Sequence, residues 1–135
     1  MRSQKETIKV LVVDDEIEIQ KVLSKILIRK GYVVETAGNG KEALSLVRKS
    51  KPDIVLLDIM MPKLDGIETL RRIKALHEKV IVMMITAYGS IKTAREAMRF
   101  GAYDYITKPF DMDFIYQIIE ESLKETEDFK KLKAA

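Results

Sequence analysis

No cysteine occurs in the 135 residues, so disulfides and thiolate metal centres are both excluded. Histidine is almost as scarce: His77 stands alone, which leaves zinc and the softer metals a poor donor set. No apolar run approaches the roughly 20 residues of a membrane span. The opening MRSQKETIKV carries no signal-peptide hydrophobic stretch, so the chain is expected to stay in the cytoplasm. No Walker pattern GxxxxGK[ST] is present, and the chain is not expected to take phosphate from ATP by itself. Repeats and low-complexity segments are absent too. The net charge of +3 comes from acids and bases that are interspersed, a pattern of solvated surface rather than of a nucleic-acid footprint.

What remains is the composition of one soluble globular domain, with 47% hydrophobic and 33% charged residues. Five short apolar or β-branched segments recur at 8–13, 33–36, 54–57, 80–85 and 103–106. The first, third and fourth are almost continuously hydrophobic, as in parallel strands buried on both faces. Between them the apolar spacing is helical. The expected faces are Ile19, Val22, Leu23, Ile26 and Leu27; Ala43, Leu44 and Val47; Ile67, Leu70, Ile73 and Leu76; Ala94, Ala97 and Met98; and Phe114, Ile115, Ile118, Ile119 and Leu123. Gly31 and Gly101 follow two of these helices, where left-handed C-terminal positions favour glycine. Asp65, Ser90 and Asp111 can cap the third, fourth and fifth, and Gly38–Asn39–Gly40 reads as a turn into the second. Successive βα units imply a parallel sheet with right-handed crossovers. Periodicity leaves the strand order open.

The last helical pattern runs from 111 to 135, about 36 Å at 1.5 Å per residue. Residues 125–135 therefore read either as a solvated tail or as the root of a linker helix, with Phe129 and Leu132 keeping the apolar spacing.

Chemistry concentrates where buried strands end. The first runs into Asp14, Asp15 and Glu16, the third into Asp58, the fourth into Thr86, and the fifth into Thr107 and Lys108. Carboxyl ends of strands line the ligand crevice of an open α/β sheet. Asp14, Asp15 and Asp58 on one edge would repel one another unless a cation offsets them. An all-oxygen set suits Mg²⁺, or Mn²⁺. Such an ion would let a carboxylate oxygen attack phosphorus, with Lys108 supplying charge and Thr86 a hydrogen bond to the phosphoryl oxygens.

Four ordered stretches, VLVVDDE at 10–16, DIVLLDIMMPKLDG at 53–66, ITAYG at 85–89 and YDYITKPF at 103–110, resemble the receiver domains of bacterial and archaeal response regulators, the CheY-like kind. In motif style they are similar to NtrC-type and sporulation-phosphorelay receivers. The resemblance covers about residues 7–124, leaving 125–135 as a charged helical extension. It implies a flavodoxin-like doubly wound α/β fold, with five parallel strands in the order 2-1-3-4-5 and helices on both faces. It also implies that Asp58 is the phosphoacceptor and Asp15 a direct metal ligand. Asp14 would be a second acid often acting through water, and the Met60 backbone carbonyl would complete the site. Thr86 and Lys108 would contact the phosphoryl group, and the Lys108–Pro109 peptide would be cis. Tyr105 matches an aromatic switch position. Thr86 would move toward the phosphoryl group and Tyr105 swing inward, reshaping the surface of the fourth helix, fifth strand and fifth helix. The donor would be a phosphohistidine on a sensor histidine kinase or phosphotransfer protein.

Met60 and Tyr88, two residues beyond Asp58 and Thr86, carry no carboxylate or amide to orient water, so slow self-dephosphorylation is expected. A haloacid-dehalogenase-type phosphatase would want an acid where Met60 stands. A flavodoxin-type flavin site would be repelled by the acids at 14–16. No helix-turn-helix follows the receiver stretch, so direct DNA binding is not expected. Homodimerisation through the switch surface or the last helix is a further expectation.

Overall fold

The apolar runs become strands whose two faces are both covered. The computed structural model describes residues 8–59, 65–87 and 89–134, with side chains through 126. Its elements alternate without exception: β1 (Lys9–Val13), α1 (Ile17–Arg29), β2 (Val33–Ala37), α2 (Gly40–Ser50), β3 (Ile54–Leu57), α3 (Gly66–Leu76), β4 (Ile81–Thr86), α4 (Ile91–Arg99), β5 (Asp104–Thr107) and α5 (Met112–Ala134). All pairings are parallel and the strand order is β2-β1-β3-β4-β5.

Period-two alternation divides the core into two layers. Val10 and Val12 of β1 face Leu23 and Leu27 of α1 and Ile115 and Ile119 of α5. Leu11 and Val13 face Ala43 and Val47 of α2, Leu70 and Ile73 of α3, and Ala97 of α4. Each fully buried Leu, Ile or Met contributes about 1.5–3 kcal/mol relative to exposure. Met83 and Met84, adjacent in β4, are both fully buried because they enter opposite layers.

Helix starts follow their capping residues. Asn39 and Asp65 accept hydrogen bonds from the backbone N–H of Glu42 and Glu68, and Ser90 forms a reciprocal capping box with Thr93. Asp111 Oδ1 accepts from the N–H of Asp113. Such caps contribute about 1 kcal/mol each. Gly31 and Gly101 sit at φ of 97° and 101°, in the left-handed region. His77, the C-cap of α3, is half-buried.

Four expected core positions are instead exposed: Val22 (48%), Leu76 (45%), Met98 (50%) and Phe114 (48%). Each has the right spacing but lies at the margin of its stripe or in a terminal turn. A helix lying on a sheet buries an arc of little more than 100°, so the residues beside the central ridge project past it.

α5 continues unbroken for 23 residues, and Phe129 and Leu132 lie outside the described side chains. Its N-terminal half is buried through Ile115, Ile118, Ile119 and Ser122. In the same half, the Tyr32 hydroxyl donates to Glu120, and Lys30 lies 4.4 Å from the centre of the Tyr116 ring. The Tyr103 hydroxyl donates to Glu125 at 2.8 Å. Burial, then the hydrogen bond to Glu125 and its charge, push the Tyr103 phenol up to about 12 from the ordinary 10.0. A pKa raised on folding contributes stability that is present below pH 10.0 and lost as pH rises through about 12. Alkaline titration followed by phenolate absorbance is therefore expected to show a component near 12 that Tyr103→Phe removes. The wild type should also lose more stability than the variant across that interval. Among the described residues, no helix is long and apolar enough to cross a membrane.

Candidate functional site

β1 and β3 are neighbours in register, with Val13 opposite Leu57. Asp14 and Asp58 are the next residues of each strand, and the pairing carries on through them. The Asp58 N–H donates to the Val13 carbonyl at 3.0 Å, and the Asp14 N–H to the Ala37 carbonyl at 3.1 Å. On the far side, Thr86 ends β4, and Lys108 follows β5 with its N–H on the Thr86 carbonyl at 2.8 Å. The crevice lies at the carboxyl edge, where successive connections leave β1 and β3 in opposite directions.

The two aspartates are buried, Asp14 at 3% and Asp58 at 6% exposure. Ionised carboxylates at that depth require a countercharge. Lys108 Nζ supplies it, donating to Asp14 Oδ2 at 2.8 Å and Asp58 Oδ2 at 3.3 Å, with Glu16 Oε1 at 3.8 Å. Burial pushes the Lys108 pKa down. The Asp14 hydrogen bond and the fields of Asp58 and Asp14 outweigh that, and the net shift is upward. The peptide after it, Lys108–Pro109, is cis.

Asp14 also starts α1. Its Oδ1 accepts from the Glu16 N–H at 2.9 Å, while Glu16, at the N-cap position, makes no side-chain cap of its own. The Gln20 amide donates to the Asp14 and Ala37 carbonyls, tying the loop to β2. One aspartate thus both initiates a helix and carries charge into the crevice.

Carboxylate oxygens of Asp14, Asp15 and Glu16 come within 4.8 Å of one another. Asp15 and Glu16 are exposed, Asp14 is not. Three hard oxygen donors so close, without histidine or thiolate, fit a hard divalent cation with a mixed protein and water shell. From the sequence, Asp14, Asp15 and Asp58 group together; in the fold, Glu16 joins the close trio and Asp58 is linked to it through Lys108. Glu16 was visible as the third acid of VDDE but carried no separate signal of its direction. Met60 and Tyr88 lie outside the described residues.

Thr86 is fully buried. It shares the layer of Met84 by strand alternation, and Met84 is paired with Tyr105. Tyr105 packs against this layer, and its hydroxyl lies 2.8 Å from Thr93 Oγ1 at the start of α4. The expected phosphoryl contacts and the expected switch aromatic therefore occupy adjoining strands. Beside Lys108 opens a cleft of about 500 Å³, with Ile19, Val22, Phe110 and Met112 among its walls.

Comparison with known proteins agrees with this geometry. Residues 10–120 match the family model for the response regulator receiver domain. Sporulation initiation phosphotransferase F of Bacillus subtilis is 40% identical over 115 residues, which are 85% of this chain and 93% of that protein. The transcriptional regulatory protein ZraR of Escherichia coli is 43% identical over 121 residues, 90% of this chain but 27% of that regulator. The chain likewise spans 25% of the regulatory protein AtoC of the same species. Among solved structures, a CheY-like receiver domain protein from Methanospirillum hungatei superposes with a TM-score of 0.88 at 30% identity, covering 90% of this chain and 97% of that one. The CheY of Borrelia burgdorferi, in a complex with CheX, BeF₃ and Mg²⁺, superposes with a TM-score of 0.82 at 34% identity, covering 86% and 89%. By sequence and by fold, the chain belongs to the response regulator receiver domain family.

Proposed function

We propose that Asp58 accepts a phosphoryl group from a phosphohistidine of a sensor histidine kinase or phosphotransfer protein, in a reaction dependent on Mg²⁺ or Mn²⁺. The supporting observation is the buried Asp58 carboxylate beside the Lys108 ammonium at the sheet's carboxyl edge. An Asp58 oxygen forms the new O–P bond as the P–N bond to the donor imidazole breaks, and the departing imidazole takes up a proton. Asp14, Asp15, Asp58 and the Met60 carbonyl would hold the cation. When bound, it supplies positive charge against the carboxylates and the phosphoryl oxygens. Lys108 adds a point charge on the opposite side, and Thr86 a hydroxyl donor. The chain catalyses only its own phosphoryl transfer and loss; Met60 and Tyr88 make that loss slow.

The acyl phosphate then biases a two-state switch in which Thr86 and Tyr105 move and the α4-β5-α5 surface changes. A shift from 1% to 99% active requires about 5.5 kcal/mol of differential contact. Residues 7–124 would form the switch, and 125–135 a linker toward a partner or output module. Pairing of two copies through the α4-β5-α5 surface or α5 is one output that such a change could drive. The working compartment is the cytoplasm, and the chain itself does not bind DNA.

A second reading is favoured by coverage: the chain spans 93% of the Bacillus phosphotransferase, so it could pass the phosphoryl group onward as a relay intermediate.

Incubation with acetyl phosphate and Mg²⁺, followed by intact-mass measurement, is expected to add one phosphoryl group to the wild type and none to Asp58→Asn. A chelator should abolish the addition. Equal labelling of the variant would overturn the assignment.

A further inference from the structure

The loop between β1 and α1 carries one carboxylate with no tether of its own. Asp14 is fixed at both oxygens, Oδ1 by the Glu16 N–H at 2.9 Å and Oδ2 by Lys108 at 2.8 Å. Asp15 is exposed, and among the described residues no hydrogen bond or ion pair holds its carboxylate. Its direction is therefore set by the backbone that carries it, above all by the Asp14–Asp15 peptide.

That peptide is held from α1. Gln20, the fourth residue of the helix, reaches back over the loop with a half-buried side chain. Its Nε2 donates at 2.7 Å to the Asp14 carbonyl, the oxygen of that same peptide, and at 3.3 Å to the Ala37 carbonyl. A primary amide nitrogen has two N–H donors, and both are used here. The two neighbours are carbonyl oxygens that only accept, so the amide oxygen of Gln20 does not fit in this place. Ala37 is a firm anchor for the clamp. It is buried, it ends β2 in register with Val13, and its carbonyl also accepts the Asp14 N–H at 3.1 Å. The amide thus ties the ends of two strands to the first helix at the residue before Asp15. Without a donor there, the part-buried Asp14 carbonyl has to turn toward water, and the peptide turns with it.

We propose that Gln20 is a positioning residue of the cation site: its side-chain amide fixes the Asp14–Asp15 peptide and so aims the Asp15 carboxylate. This rests on the reading of a divalent cation at Asp14, Asp15 and Asp58 given above, and adds a residue of α1 outside the four sequence motifs. Gln20 is not itself a ligand and acts through the backbone. Aim matters because a small hard cation such as Mg²⁺ demands near-ideal octahedral geometry of its oxygens. The loss of a hydrogen bond sets the scale at about a three- to tenfold change in affinity.

The test is titration of the purified chain with Mn²⁺, following the EPR signal of the unbound ion, with urea unfolding measured separately in the absence of metal. Gln20→Met keeps the length of the side chain and removes its donors. It is expected to weaken Mn²⁺ binding by about three- to tenfold. The Mg²⁺ concentration that half-saturates labelling by acetyl phosphate should rise by the same factor, while the rate at saturating Mg²⁺ stays within about twofold of wild type. In the metal-free variant the Asp15 amide should exchange with solvent faster, with the amides of β4 unchanged. Asn39→Ala removes the cap of α2 in the neighbouring loop, at a cost in stability of about 1 kcal/mol, and should bind Mn²⁺ within about twofold of wild type. Wild-type affinity in Gln20→Met, an equal loss in Asn39→Ala, or a fall in the saturated rate with no shift in the Mg²⁺ dependence would each overturn the proposal while leaving the cation reading in place. Failure of the wild type to bind Mn²⁺ would instead remove the cation reading and this inference with it.

Discussion

Lys108→Met is expected to destabilise the fold by about 3 kcal/mol at neutral pH without divalent cation. The ammonium is the countercharge for Asp14 and Asp58, at 2.8 and 3.3 Å, with the three side chains only 12%, 4% and 7% exposed. Water therefore screens the pair little. Methionine retains most of the packing of the stem but leaves two buried carboxylates facing each other. Removing one partner of a buried pair costs more than the pair contributes, because an uncompensated charge stays behind. Urea unfolding measures the loss, and Mg²⁺ in excess should recover part of it by replacing the missing positive charge. Asp58→Asn makes the contrasting case. Lys108 keeps Asp14, one of four neighbouring acids is neutralised, and stability should hold or rise while labelling vanishes. A Lys108→Met variant as stable as wild type, with no response to Mg²⁺, would show that the lysine does not balance this site.

Gly66→Ala should cost a comparable amount, about 3 kcal/mol, through sterics alone. A Cβ at Gly66 would lie 2.4 Å from Ile59 Cα and 2.5 Å from the Asp58 carbonyl oxygen. Both are backbone atoms, so no rotamer change relieves the contact. The Gly66 N–H also donates to the Ile59 carbonyl at 2.8 Å, which pins the first turn of α3 against the residue after Asp58. Either α3 withdraws from the sheet or the 58–59 backbone moves. A displacement of the Asp58 carboxylate by about 1 Å would slow labelling roughly a hundredfold, so the variant should lose rate beyond what unfolding explains. Gly89→Ala is the internal comparison. Its neighbours are the end of a tyrosine ring and a threonine methyl, which can yield, and its cost should be smaller. Equal stability and rate in Gly66→Ala and wild type would mean that the close approach does not govern the position of Asp58.

Local chemistry was legible because it depends on neighbours along the chain. All five strands fall within one residue of the hydrophobic runs, since period-two alternation and buried β-branched stretches are local properties. The caps at Asp65 and Ser90 could be read from residue type and position alone, whereas Asn39 read only as part of a turn and its cap shows in the fold. The exposed Val22, Leu76, Met98 and Phe114 could not, because the width of the covered arc depends on where the helix lands on the sheet. Strand order came through family resemblance, as periodicity contains no information on which strands become neighbours.

The acids at strand ends and the lysine after the fifth strand were determined by the sequence: which residues carry charge, and that each ends a buried run. Their partners were decided only by the tertiary structure. Lys108 reaches Asp14 across 94 positions and Asp58 across 50, contacts made when β5 docks at the sheet edge and its following residue points back along the crevice. Glu16 joins the oxygen cluster by the path of the chain into α1, and Thr93 meets Tyr105 because α4 packs over β5. Such choices follow from register and docking, where a shift of one residue turns every side chain to the other face.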